Sequence, residues 1–150
     1  MTDYDLTLKN GHLMDPAAGI DAPHDLSFRD GALVAMDAPG NARETRDLAG
    51  CIVTPGLIDL HSHVYWGGTS LGIDPDAYGR ASAVATCIDT GSAGPGNFAG
   101  FRAHVIERSD IRVLAYLHVS HAGIYGFSKR VMMGESEDIR LMDPITAVEV

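Results

Sequence analysis

His61 and His63 close the apolar run CIVTPGLIDLHSH, residues 51–63. On an extended strand, side chains alternate sides, so residues two apart point the same way. The two Cα atoms then lie about 6.6 Å apart. From that separation two imidazoles can converge on one cation, at about 2.0–2.1 Å from each ring nitrogen. Zinc is the first choice for imidazole donors, with manganese, iron and cobalt as alternatives. Asp59 shares the parity of the pair on a regular strand, and so its face. It is either an acceptor that fixes one of the rings or a carboxylate hydrogen-bonded within the strand. A bare His-x-His also reads as two polar residues closing a strand towards solvent. In parallel α/β folds, however, function gathers at the C-terminal ends of strands, and this pair stands at such an end.

The elements that must position the pair fall into two segments. Residues 1–55 read as short strands. YDLTLKNGHLMDP alternates around the turn dipeptide Asn10-Gly11, and HDLSFRDGALVAMD does so around Asp30-Gly31. RDLAGCIVTPG is a further extended run, closed by Pro55-Gly56. This spacing predicts a small β-sandwich or part of one. Residues 56–150 instead alternate strand and helix, which predicts βα units on a parallel sheet. DPDAYGRASA reads as a helix with Asp74 as N-cap and Pro75 in its first position. VATCIDTGS and RVLAYLHVS read as strands. Phe98, Phe101, Val105 and Ile106 have helical spacing. Asp143-Pro144 starts a last helix, continued by ITAVEV. That helix meets no C-cap glycine and no following strand, so the sequence is expected to be the N-terminal portion of something longer.

Bulk properties narrow the function classes. A net charge of −9 and a pI near 5.0 leave no basic stripe for nucleic acid. A small anionic substrate held by one or two local cations stays open. No apolar run approaches the roughly 18 residues that cross a bilayer. The start, MTDYDLTLKN, is too polar and acidic for a signal peptide. Cys51 and Cys87 read as reduced thiols, with the cytoplasm as the default compartment.

The stretch PGLIDLHSH, residues 55–63, resembles the first barrel strand of the amidohydrolase superfamily. NGHLMDP and DLSFRDGALVAM are similar to that superfamily's N-terminal sandwich strands. HVYWGGTSLGIDPDAYG, DTGSAGPGNFAGFRAHVIE and HAGIYGF resemble its dihydroorotase-like amidohydrolase/deacetylase branch. The resemblance runs over nearly the whole chain. It implies an α/β fold: the N-terminal part of a metal-dependent hydrolase (β/α)8 TIM barrel, preceded by a small β-sandwich segment. Residues 1–55 would be an incomplete sandwich segment and residues 56–150 the first three βα units, at about 31 residues per unit of a roughly 250-residue barrel.

The function implied is hydrolysis of an amide, cyclic amide or acyl ester bond of a small molecule by a metal-activated water. In that branch a pair of divalent metals, zinc by default, is bridged by a carboxylated lysine. Only His61 and His63 map onto the ligand roles. Lys9 lies in the sandwich and Lys129 comes too early, so the remaining ligands and the catalytic residues are expected beyond Val150. The 150-residue chain alone is expected to be inactive. The partners implied are a small acylated or cyclic amide substrate, no nucleic acid, no membrane, and a homo-oligomer when complete.

Weaker candidates surround the pair. GSAGPGN, residues 91–97, is either an anion cradle at a helix start or a tight βα turn. Ser92 and Asn97 are candidates to face the substrate. His121, with His118, sits past the third strand as a substrate contact or a structural histidine. Tyr65, Trp66 and Tyr125 are pocket walls or plain packing, and His12, His24 and His104 have no constellation. Met132 and Met133 sit in a loop-like run. Two other readings remain. One is a histidinol-phosphatase-like phosphoesterase of the PHP type, which shares Asp-x-His-x-His but starts at that strand. The other is a shortened, non-catalytic homologue acting as a binding or assembly partner through exposed strand edges and an apolar sheet face.

Overall fold

The computed structural model describes residues 3–134 and 137–150. The chain divides into two units, Met1–Pro55 and Gly56–Val150. The first holds strands β1 (Tyr4–Asp15), β2 (Ile20–Arg29), β3 (Ala32–Met36), β4 (Ala42–Asp47) and β5 (Ile52–Val53). They make one mixed sheet in the order β3-β2-β1-β4, with β5 also paired to β1. The first three strands are antiparallel, while β4 and β5 run parallel to β1. The segment is expected to be a small β-sandwich or part of one; its strands form one sheet. Among the described residues β3 extends the sheet beyond β2, and β4 and β5 pair one after the other along β1.

Asp30 and Gly31 close the β2–β3 hairpin with φ of 52° and 76°. That is the left-handed pair a two-residue turn needs to match strand twist. Asn10-Gly11 does something else. β1 runs straight through it, and the register with β2 slips by one residue between Leu8 and Gly11. Asn10, at φ 61°, is therefore part of a bulge and not of a turn. Its main-chain N–H donates to Asp25 Oδ1 at 3.0 Å and its side-chain amide to Asp47 Oδ1 at 2.9 Å. The bulge marks a change of partner, since β4 pairs with β1 as far as Lys9 and β5 resumes at His12.

The second unit holds β6 (Leu57–Ser62), α1 (Pro75–Ser82), β7 (Val84–Thr90), α2 (Phe98–His104) and β8 (Arg112–Tyr116). A short hairpin of β9 (Gly126–Phe127) and β10 (Met132–Met133) follows, then α3 (Pro144–Glu149). Met132 and Met133 thus pair in a strand where the sequence reads as loop. β6, β7 and β8 form a parallel sheet in that order. Three parallel strands make an open sheet here, not a closed barrel. Asp74 caps α1, its Oδ1 accepting from the N–H groups of Asp76 and Ala77, with Pro75 in the first turn. Asp143 caps α3 through the N–H of Thr146.

Right-handed crossovers place successive helices on one side of such a sheet. The core is accordingly one-sided: Val64, Val84, Cys87, Ala93, Phe101, Val105 and Val113 are buried together. Tyr65 stacks on Phe101 with centroids 4.6 Å apart. Ile58, Leu60, Leu114 and Tyr116 are exposed, and the last two, with Ile88, line one shallow cavity. Among the described residues no helix is long and apolar enough to cross a membrane.

Candidate metal centre at the end of the first parallel strand

The strand that carries the histidines is not regular. Asp59 pairs with Cys87 and Ser62 with Asp89, so β6 spends three steps where β7 spends two. The extra residue resets the pleat. Asp59 and Ser62 both stand opposite buried residues of β7. Asp59 Oδ2 accepts from the Tyr78 hydroxyl of α1 at 2.9 Å, and Ser62 is buried. His61 and His63 flank Ser62 and so project the other way; His61 is exposed and His63 half-buried. The shared face expected of Asp59 and the two histidines is thereby corrected, because simple alternation misses the bulge.

Asp59 acts on the pair through the main chain. Its Oδ1 accepts from the His61 N–H at 3.0 Å, tying down the irregular residue. That bond, followed by the one from Tyr78, holds the Asp59 carboxyl below the usual carboxylate range. The same contact with Asp59 pushes the Tyr78 hydroxyl up.

The rings of His61 and His63 have centroids 5.6 Å apart and planes 77° apart. An ion about 2.0–2.1 Å from a ring nitrogen lies roughly 3.2 Å from that ring's centre, so two rings sharing it tetrahedrally have centres about 5.2 Å apart. The observed separation exceeds that by a few tenths of an ångström, within the reach of a small side-chain rotation. His63 Nδ1 lies 3.0 Å from Ser92 Oγ, which leaves Nε2 as the nitrogen available to a metal. The spacing of the two rings is thus compatible with two donors of an imidazole-bound divalent ion. The pair is not a whole site, since among the described residues no group of three or more His, Cys, Asp or Glu converges.

The residue that sequence reasoning missed is Asp89. It is fully buried at the end of β7. Its Oδ2 accepts from the Val64 N–H at 2.8 Å, and its Oδ1 from the N–H groups of Gly91 at 3.1 Å and Ser92 at 2.7 Å. One carboxylate thus joins the residue after His63 to the residue that bonds the His63 ring. The only prior hint is the Asp-x-Gly-Ser spacing, in which an aspartate accepts from the turn that follows it.

The weaker candidates land in varied places. Ser92 is buried and its hydroxyl is spent on His63, so it turns inward. Asn97 uses both ends of its amide inside the loops, accepting from Gly94 N–H and donating to the Ala122 carbonyl. The N–H groups of Gly91, Ser92, Gly94 and Gly96 all have internal acceptors, so residues 91–97 form the tight turn and not an anion cradle. A Cβ on Gly94 would sit 1.8 Å from the Ser120 carbonyl oxygen, which is why glycine stands there. His121 is exposed and meets Asp143 Oδ2 at 3.2 Å through Nδ1. His118 Nδ1 accepts from the Ser120 N–H. Tyr125, Thr69, Ser70 and Ser128 help line a cavity of about 240 Å³.

No family model matches the chain. A deacetylase of Agrobacterium fabrum is 36% identical over 107 residues, 71% of this chain and 26% of that protein. A dihydroorotase of Syntrophotalea carbinolica is 39% identical over 81 residues, 53% of this chain and 19% of that protein. Among solved structures, a dihydroorotase superposes with a TM-score of 0.82 and 32% identity, over 96% of this chain and 38% of its own. An adenine deaminase superposes with a TM-score of 0.77 and 25% identity, over 98% of this chain and 38% of its own. The chain thus spans about a quarter of the length of the curated deacetylase it matches.

Proposed function

Because the chain belongs to the amidohydrolase superfamily, matching its members over an N-terminal portion of their length, we propose that its protein is a metal-dependent amidohydrolase. The bond cleaved is an amide, a cyclic amide or an acyl ester of a small molecule. Relatives named deacetylase and dihydroorotase support the amide class. The observation that carries the reading is the imidazole pair at the end of β6, its rings 5.6 Å apart and one of them anchored by a buried hydroxyl.

His61 and His63 would hold a divalent ion, zinc by default for imidazole donors. When bound, such an ion makes a water acidic near neutral pH and polarises a carbonyl oxygen. The protein's own part is positioning. Asp59 fixes the His61 main chain on the open side of the sheet, and Ser92 fixes the His63 ring. Two donors fall short of the three or four protein ligands of a stable site. The residues described here are therefore the start of the centre, and this chain by itself binds zinc weakly and does not turn over.

The test is metal analysis together with a screen of N-acyl, cyclic amide and acyl ester substrates. It uses the protein expressed from the full reading frame containing these residues, beside His61→Ala and His63→Ala. Loss of metal and of turnover in both variants is expected. Full metal content in both variants, or turnover of phosphate monoesters alone, would overturn the reading.

A further inference from the structure

We infer that Ser92 is a positioning residue for His63: its hydroxyl accepts a hydrogen bond from Nδ1–H and so leaves the bare Nε2 as the metal donor. The inference rests on the metal reading above and goes beyond it. A neutral imidazole carries one proton, and the nitrogen that binds a metal must be the bare one. A ring held with Nδ1–H towards an acceptor presents Nε2 in a single orientation. Ser92 Oγ is 3.0 Å from Nδ1 and Ser92 is fully buried, so bulk water does not compete for that contact.

The serine is itself held in place. Its main-chain N–H donates to Asp89 Oδ1 at 2.7 Å, while Asp89 Oδ2 takes the N–H of Val64, the residue after His63. The distance between ring and hydroxyl is thereby fixed from both sides by one buried carboxylate. This also gives the Asp89-Thr90-Gly91-Ser92 stretch a role beyond closing the turn.

The test has two readouts besides activity. Nitrogen-15 NMR of the histidine rings in the unaltered protein should show His63 protonated at Nδ1, with Nε2 shifting as zinc is added. A His63 ring bare at Nδ1 and metallated there would overturn the inference. Cobalt affinity, measured by chelator competition, should weaken about tenfold or more in Ser92→Ala. An affinity within twofold of the unaltered protein would overturn it. His61→Ala and His63→Ala separate the two levels. If they abolish cobalt binding and Ser92→Ala does not weaken it, only the role of Ser92 falls. If they leave binding unchanged, the metal reading falls and takes the inference with it.

Discussion

Replacing Asp89 by asparagine is the sharpest test of how the site is held. The carboxylate accepts three main-chain N–H groups, two on Oδ1 and one on Oδ2, from a fully buried position. An amide has one oxygen. In its better orientation it keeps Gly91 and Ser92 and turns an NH2 group towards the N–H of Val64, 2.8 Å away in the parent. One bond to a charged acceptor is lost, about 1.5–3 kcal/mol, and the two that survive each weaken by about 1 kcal/mol on becoming neutral. Relief from burying a charge offsets part of this. The net loss is about 3 kcal/mol, and for a unit of this size each kcal/mol lowers Tm by about 4–8 °C. Urea unfolding followed by circular dichroism reads it directly, with the midpoint falling at unchanged m. A variant within about 0.5 kcal/mol of the parent would refute the claim that this carboxylate clamps the strand end.

Three more outcomes follow from particular residues. The Asp59 carboxyl is depressed by the His61 N–H and the Tyr78 hydroxyl, so its contribution to stability is present above the unfolded value and is lost as pH falls through the folded one. Its carbon-13 titration midpoint should therefore lie below the usual carboxylate range, and Tyr78→Phe should raise it. Of the two thiols, Cys51 is exposed and Cys87 is buried, its thiol pushed up by burial. A maleimide should label Cys51 within minutes in native buffer and reach Cys87 only on unfolding, as peptide mass spectrometry would show. Phe101→Ala empties a fully buried ring site and removes the stacking with Tyr65; it should cost about 3–5 kcal/mol in denaturant titration.

Local punctuation was readable where its chemistry is local. Asp74-Pro75 and Asp143-Pro144 start helices because each aspartate caps an N–H a few residues on, and Asp30-Gly31 turns a hairpin because both residues accept a positive φ. The alternation of strand and helix after Gly56 follows from burial on one side of a sheet. Asn10-Gly11 misled because a positive φ serves a bulge as well as a turn, and the partner strands decide which. The single sheet of the first unit was hidden for a similar reason. Alternation says that a strand has an inner face, not which strand comes next beside it. At the site, the histidine pair was visible from its spacing, but the direction of Asp59 was not. Ser92 looked like a loop residue facing ligand, and Asp89 like any polar strand end, until their buried bonds to His63 and Val64 were in view.

The additional residue between Asp59 and Ser62 means that the site depends on counting as much as on composition. Deleting Leu60 would leave every ligand in the sequence, yet bring the strand back into step with β7. Alternation would still carry both imidazoles to the open side, but the His61 N–H would no longer stand two residues past Asp59, and the bond that ties it to Oδ1 would be lost. A substitution at the exposed Leu60 would leave that bond in place, whereas a one-codon deletion there would remove it.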